Sequence, residues 1–267
     1  MKTERDILVV DDEPVIAQAV AKVCSSEGMS VDIEEHGAAG LARLKSRSYG
    51  LIICDLMMPE VDGFRFLSEA ARRGVQTPII ISTGYATLEN AVISLTRGAA
   101  DFIPKPFTAD ELLTVVRRAF NYARLQKEAV SSAAGRPASL VYVPGPPQYY
   151  RLGYVSWVKK EPEGTVLIGV SDLFLKTIET VRELKLLRVG EETAQGGSCA
   201  AAISADGSSH SVMCPVSGRI VEVNASAASD PARVEKDPYF TGWLYRVLPS
   251  DLQSDLGRLI SCSSDRI

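Results

Sequence analysis

Five side chains within the first 105 residues have the types needed to handle a phosphoryl group. Asp11 and Asp12 form an acidic pair, Asp55 adds a third carboxylate, Thr83 a hydroxyl and Lys105 an ammonium group. Three carboxylates held together repel, which raises at least one pKa unless a cation intervenes. An oxygen-only set of this kind suits Mg2+, which takes one or two carboxylates plus phosphate and keeps several waters. A carboxylate can also attack phosphorus, giving an aspartyl phosphate. Catalysis is then mostly positioning and charge neutralisation. Lys105 supplies a compact cation for the phosphate.

These residues need elements that bring them together. From residue 5 to about 125, short apolar runs at Ile7–Val10, Met29–Ile33, Leu51–Cys54, Pro78–Ile81 and Asp101–Ile103 alternate with helix-period segments near 14–27, 37–47, 62–73, 87–97 and 109–126. In the last of these, Leu112, Val115, Val116, Ala119 and Phe120 fall on one helical face. Five β-then-α units predict an α/β domain, a doubly wound parallel sheet covered by helices on both faces. Ligands of such sheets gather at the carboxyl ends of the strands. Asp11 and Asp12 follow the first strand, Asp55 the third, Thr83 the fourth and Lys105 the fifth.

Four blocks carry a family resemblance: Val9-Val10-Asp11-Asp12-Glu13-Pro14, Cys54-Asp55-Leu56-Met57-Met58-Pro59-Glu60-Val61-Asp62-Gly63, Ser82-Thr83-Gly84-Tyr85 and Lys105-Pro106-Phe107. In this order and at these separations they resemble the receiver domains of two-component response regulators, which have a flavodoxin-like (CheY-like) fold. The resemblance covers about residues 5–126. It implies that Asp55 accepts a phosphoryl group from a histidine kinase or phosphotransfer protein. It also implies that Asp12, Asp55 and the backbone carbonyl of Met57 bind Mg2+ directly, with Asp11 acting largely through water. Thr83 and Phe102 match the hydroxyl and aromatic that rearrange on phosphorylation, and Lys105–Pro106 matches a bond that is usually cis. The face made by 87–97, 101–103 and 109–126 commonly dimerises in receivers, so a homodimer is a family-level expectation. A buried aromatic such as Phe102 is equally at home as plain core.

The texture changes after residue 126. Ala129-Val130-Ser131-Ser132-Ala133-Ala134-Gly135-Arg136-Pro137 and Pro144-Gly145-Pro146-Pro147 are rich in small and chain-breaking residues. They set 127–147 as a linker between a domain at 1–126 and another at 148–267, with one extended segment at Leu140–Val143. The second domain reads as mostly β, a sandwich or flattened barrel, with strands at Tyr154–Val158, Thr165–Val170, Cys199–Ile203, Ser211–Cys214 and Arg219–Val223. Short helices are predicted at 172–179 and from an N-cap at Ser250 to Ile260.

Gly164-Thr165-Val166-Leu167-Ile168-Gly169-Val170-Ser171-Asp172, Pro215-Val216-Ser217-Gly218-Arg219-Ile220-Val221-Glu222-Val223-Asn224 and Asp237-Pro238-Tyr239-Phe240-Thr241-Gly242-Trp243-Leu244 resemble the H-protein of the glycine cleavage system. That family has a lipoyl-domain-like sandwich whose hairpin tip carries lipoate on a lysine. Counted back from Pro215, that lysine falls at position 207, which is Gly207, and no lysine occurs from 190 to 222. An amide to lipoate needs a lysine amine, and Ser208 and Ser209 cannot supply one, so the swinging-arm function is expected to be absent. Asp206-Gly207 is a strong two-residue turn signal. In that register Cys199 faces Cys214 and His210 faces Ile203. The two cysteines read as buried thiols more readily than as a redox pair, and His210 as an ordinary strand residue.

Composition bounds the rest. Hydrophobic residues make up 46% and charged residues 23%, an ordinary globular balance. No run approaches the roughly 18 apolar residues of a membrane span, and the N-terminus has no signal-peptide pattern, so a cytoplasmic protein without membrane contact is expected. The five cysteines at 24, 54, 199, 214 and 262 form neither a disulfide framework nor a zinc pattern. Residues 148–267 hold 13 Lys and Arg against 15 Asp and Glu, a net of −2, without a basic recognition helix, so DNA binding is not expected. The two resemblances imply a bacterial phosphorelay protein that is not a metabolic enzyme. It would signal through a non-lipoylated H-protein-like module to an unidentified downstream protein. Two further outputs stay open: a receiver-regulated lipoyl carrier, and a receiver acting alone with a structural or dimerising second domain.

Overall fold

The computed structural model describes the backbone of residues 3–133 and 141–263 and the side chains of 6–129 and 141–263. The chain divides into two compact units. Along residues 3–133, β1 (Thr3–Val10), α1 (Pro14–Ser26), β2 (Val31–Glu34), α2 (Gly37–Ser46), β3 (Arg47–Asp55), α3 (Gly63–Arg72), β4 (Ile79–Thr83), α4 (Leu88–Thr96), β5 (Asp101–Pro104) and α5 (Ala109–Ala133) follow one another. The strands form one five-stranded sheet in the order β2-β1-β3-β4-β5, and every pairing is parallel. The strand order reverses between β1 and β3, the switch point where doubly wound sheets open a crevice at their carboxyl ends.

Ile7, Val9, Leu51, Ile53, Ile80 and Ile103 bury one face of this sheet against Ala17, Val20 and Cys24 of α1 and Leu112, Val115, Val116 and Ala119 of α5. Near-continuous apolar strands are what burial on both faces demands. Pro14 opens α1, where its missing N–H costs nothing. Asp62 caps α3 by accepting from the Arg65 amide at 2.7 Å.

The α5 helix runs to Ala133, past the end at 126 set from sequence. Lys127, Glu128 and Ala129 are good helix formers and extend it. Of the extended segment expected at Leu140–Val143, Leu140 lies outside the described residues and 141–143 form no strand.

The second unit contains β6 (Tyr150–Leu152), β7 (Ser156–Lys160), β8 (Val166–Val170), α6 (Asp172–Thr177), β9 (Val181–Leu186), β10 (Glu192–Thr193), β11 (Ser198–Ser204), β12 (Ser209–Met213), β13 (Gly218–Val223), α7 (Ala225–Ser229), α8 (Pro231–Lys236), β14 (Tyr245–Pro249), α9 (Leu252–Gly257) and β15 (Ile260–Ser261). A seven-stranded sheet has the order β10-β13-β14-β8-β7-β6-β15, and a three-stranded sheet the order β12-β11-β9. Their pairings are antiparallel, as expected for a sandwich. Trp157 is a buried anchor whose indole N–H donates to the Val170 carbonyl at 2.9 Å. Its cross-strand partner is Gly169, where an added Cβ would come within 2.5 Å of the ring. The α9 cap is Asp251, which accepts from the Ser254 amide at 3.0 Å, in place of the expected Ser250.

Candidate functional site

At the carboxyl edge of the first sheet, Lys105 reaches across from the end of β5. Its Nζ donates to Asp11 Oδ2 and to Asp55 Oδ1, each at 2.8 Å, and to Glu13 Oε1 at 3.2 Å. Asp11 is 3% and Asp55 4% exposed, so the ammonium bridges two buried carboxylates. Burial pushes the Asp11 carboxyl up, and the Lys105 and Glu13 hydrogen bonds only partly offset it. For Lys105, burial lowers the pKa, but the two aspartates outweigh it and hold the ammonium above its ordinary value.

The backbone completes the pocket. Asp55 Oδ2 accepts from the Met57 amide at 2.7 Å, and Asp11 Oδ1 from the Glu13 amide at 3.0 Å. These bonds fix both carboxylates and leave the exposed Met57 on the rim. Thr83 is fully buried and accepts from the Tyr85 amide at 3.0 Å. Its carbonyl accepts from the Lys105 amide at 2.8 Å, tying β4 to the turn that carries the ammonium. Phe102 is buried on the neighbouring strand, opposite Ile81. The Lys105–Pro106 bond is cis.

Two backbone features shape the loop after Asp55. A Cβ at Gly63 would lie 2.7 Å from the Asp55 carbonyl oxygen and 2.9 Å from Leu56 Cα, so α3 starts against the acceptor strand only because this residue is glycine. Glu60 sits at φ 61, a left-handed conformation that costs a non-glycine residue about 1–2 kcal/mol.

The structure joins Asp11 and Asp55 through Lys105 and places Thr83 at the end of β4 and Phe102 on β5. Asp11, Asp12 and Asp55 do not form a metal-holding trio: among the described residues no group of three His, Cys, Asp or Glu side chains is close enough to hold a metal ion. Lys105 sets one positive charge between the two buried carboxylates, and among the described residues Asp12 makes no ion pair with it. Glu13 was not singled out from sequence, although it stands in the same acidic block and joins the Lys105 cluster. The buried ion pair of Asp101 and Arg118, at 2.6 Å, was also missed.

In the second unit the matched residues are scaffold. Asn224 Oδ1 accepts from the Ser226 and Ala227 amides, while its Nδ2 donates to the Thr241 and Trp243 carbonyls at 2.9 and 2.7 Å. Asp237 accepts from the amide and hydroxyl of Thr241 at 2.9 and 2.8 Å. Tyr239 donates its hydroxyl to the Val143 carbonyl and accepts from the Asp172 amide.

The β11–β12 hairpin is kept, but its register differs by one from that expected. His210 faces Ala202, and Ser209 faces Ile203. The connection is a three-residue loop, Ala205-Asp206-Gly207, in which Gly207 takes φ 86 and the Ser204 amide donates to the Ser208 carbonyl. Cys199 sits at a bulge between Ser198 and Ala200, not paired squarely with Cys214. All five cysteines are free and buried. At the tip, Asp206 Oδ1 accepts from the Ser204 hydroxyl at 2.5 Å and the Ser208 amide at 3.0 Å. Ser204 Oγ also lies 3.1 Å from His210 Nε2.

Comparison with known proteins matches the two units separately. The response regulator receiver domain family matches residues 7–117, and the glycine cleavage H-protein family matches residues 148–264. The chain is 37% identical over 125 residues to the nitrogen assimilation regulatory protein NtrX of Azorhizobium caulinodans, covering 46% of this chain and 28% of that protein. It is 39% identical over 111 residues to the transcriptional regulatory protein DltR of Streptococcus agalactiae, covering 42% of this chain and 50% of that one. The chain thus spans about half or less of the length of these relatives.

Among solved structures, the receiver domain of NtrX from Brucella abortus is 37% identical with a TM-score of 0.42, covering 43% of this chain and 98% of that one. A glycine cleavage system H protein from Mycobacterium marinum is 31% identical with a TM-score of 0.41, covering 45% of this chain and 94% of that one. Among the described residues no helix is long and apolar enough to cross a membrane. The chain joins a response regulator receiver domain to a glycine cleavage H-protein-like domain.

Proposed function

We propose that Asp55 is the phosphoacceptor of a two-component phosphorelay and that the H-protein-like domain is a non-lipoylated protein-recognition output. The observation that carries the first part is the Lys105 bridge to Asp11 and Asp55 at the β1/β3 switch point. An Asp55 carboxylate oxygen attacks the phosphorus of a phosphohistidine on a histidine kinase or phosphotransfer protein. The P–N bond breaks, the imidazole leaves and takes up a proton, and an acyl phosphate forms on Asp55. Lys105 then pairs with the transferred phosphoryl oxygens as a point charge.

By type, the buried Asp11 and Asp55 carboxylates, Asp12 next to them in sequence and the Met57 carbonyl are oxygen donors of the kind a hard divalent ion takes. Mg2+ bound there would neutralise the charge of acceptor and phosphate. Asp12, Asp55 and the Met57 carbonyl would hold it directly, and Asp11 through water. The buried Thr83 and Phe102 are the elements that would repack when phosphorylation adds roughly −1.5 to −2 of charge.

For the output, the supporting observation is the division of labour within the second domain. Asn224, Asp237, Tyr239 and Trp157 keep the fold, while the cargo position is Gly207. The expected action is signalling in the cytoplasm, without metabolic catalysis or DNA contact. Incubation of the full chain with acetyl phosphate and Mg2+, followed by intact-mass analysis, should show one added phosphoryl group. Its persistence in Asp55→Asn would overturn the assignment.

A further inference from the structure

The end of the receiver sheet away from Asp55 carries an open cleft of about 600 Å³, within the range of small-molecule sites. It lies between the last turns of α2 and α3 and the first residues of β3, roughly 25 Å along that strand from the acceptor. Among the described residues, Lys45, Arg47, Arg72 and Arg73 line it and no carboxylate does. In a chain of net charge −4 this concentration runs against the overall balance.

The cations are only partly spent. Asp32 takes Arg47 at 2.6 Å, and Glu69 takes Arg72 at 2.8 Å and Arg73 at 3.7 Å. Lys45 makes no ion pair among the described residues. Among the described residues, four cations against two carboxylates leave a surplus of two positive charges.

Two of the guanidinium groups are held in place: Arg47 by Asp32, and Arg73 by donating to the Leu41 carbonyl at 2.8 Å. Cations fixed before binding lose less rotamer freedom when an anion arrives. Their planar forks suit phosphate oxygens.

The cleft is not a bare anion patch. Leu41, Leu44 and Val75 also line it, the two leucines only 4% and 8% exposed, so a small apolar surface lies beside the cations. The neighbouring hydroxyls are engaged internally, Tyr49 with Asp32 and Thr77 with the Tyr49 carbonyl. Recognition must therefore combine charge with apolar contact.

We infer that this cleft binds a phosphorylated small molecule of nucleoside diphosphate size. Its phosphates are held by Lys45, Arg47, Arg72 and Arg73, and its apolar part rests on Leu41, Leu44 and Val75. The site is independent of the chemistry at Asp55.

The test is an NMR titration of the isotope-labelled full chain with ADP, GDP and pyrophosphate at one fixed ionic strength. The expected result is saturable movement of the Leu41, Leu44 and Val75 amide signals, with a nucleoside diphosphate bound about tenfold more tightly than pyrophosphate. The double variant Lys45→Gln/Arg72→Gln, at two exposed positions, should weaken binding about tenfold or more, while phosphoryl uptake from acetyl phosphate stays unchanged. Non-saturating shifts spread over every basic surface would overturn the inference. So would equal affinity for pyrophosphate and nucleotides, an unaffected double variant, or binding of an acidic peptide where the diphosphates do not bind.

Discussion

Lys105 Nζ lies 2.8 Å from Asp55 Oδ1 although 50 residues separate them in the chain. The sheet order makes this distance: β1 and β3 are neighbours, β4 follows β3, and β5 is one strand further. Replacing the ammonium should therefore strike phosphotransfer directly. Lys105→Ala is expected to slow acyl-phosphate formation on Asp55 roughly 100-fold, the cost of losing one preorganised charge partner. Lys105→Arg should recover little, because a planar fork does not fill the place of a compact ammonium. Intact-mass time courses with acetyl phosphate measure both, and a wild-type rate in Lys105→Ala would refute the role.

Gly63 controls the acceptor through space alone. Gly63→Ala forces a Cβ against the Asp55 carbonyl and Leu56 Cα, both backbone. The loop or the start of α3 must shift. We expect destabilisation of about 1–3 kcal/mol, the usual cost of overpacking, together with slower phosphoryl uptake. Urea unfolding read on receiver amide signals checks the first effect, and the mass assay the second. An unchanged midpoint would show that the loop yields freely.

Arg118 and Asp101 form an ion pair whose side chains are 6% and 2% exposed. Asp101→Ala leaves a buried guanidinium without its carboxylate and should cost about 3–5 kcal/mol. Replacing both, as Asp101→Leu/Arg118→Met, should recover most of that loss. If the double variant is as unstable as the single one, the pair contributes through other contacts.

Much of this site was legible because a parallel sheet turns strand ends into neighbours. Once the runs ending at Val10, Cys54, Ile81 and Ile103 are read as strands, the residues after them must share one edge. The partner choice of Lys105 was not legible, since which carboxylates a cation takes depends on depths and angles set by the whole fold. The hairpin shows a sharper limit. Asp206-Gly207 serves a two-residue turn, or the end of a three-residue loop with glycine in the left-handed region, and the second holds. That shift of one residue moved His210 from Ile203 to Ala202. Short strands such as Glu192–Thr193 and Ile260–Ser261 exist only through distant pairing, with Arg219–Gly218 and Arg151–Tyr150 respectively, so their local sequence carries little signal.

The same loop gives a test of the missing cargo site. By the sequence count from Pro215, Gly207 is the position expected for an attachment lysine, and a lysine there must adopt φ 86 at a cost of about 1 kcal/mol. Intact-mass analysis after incubation with lipoate ligase should show no lipoyl group on the natural chain. Gly207→Lys restores an amine at an exposed tip on a retained hairpin, so this variant should accept one group if the surrounding scaffold suffices. Lipoylation of the natural chain would revive the carrier reading.

The tip also carries a titrating group whose sign can be worked out. Hydrogen bonds from the Ser204 hydroxyl and the Ser208 amide hold the Asp206 carboxyl down to about 2, from an ordinary value of 3.8. A carboxyl depressed in the folded state stabilises the fold fully above the unfolded value. That contribution is lost as pH falls from about 4 through about 2, where protonation removes the acceptor from Ser204 and Ser208. The expected observation is an Asp206 carboxyl carbon titrating near pH 2 by NMR, with the Ser208 amide signal moving at the same midpoint. Ser204→Ala removes one of the three donors to this carboxylate, the others being the Ser208 amide and hydroxyl, and should raise that midpoint towards the ordinary value. A midpoint already near 3.8 in the natural chain would mean that the loop does not hold this hydrogen-bonded arrangement in solution.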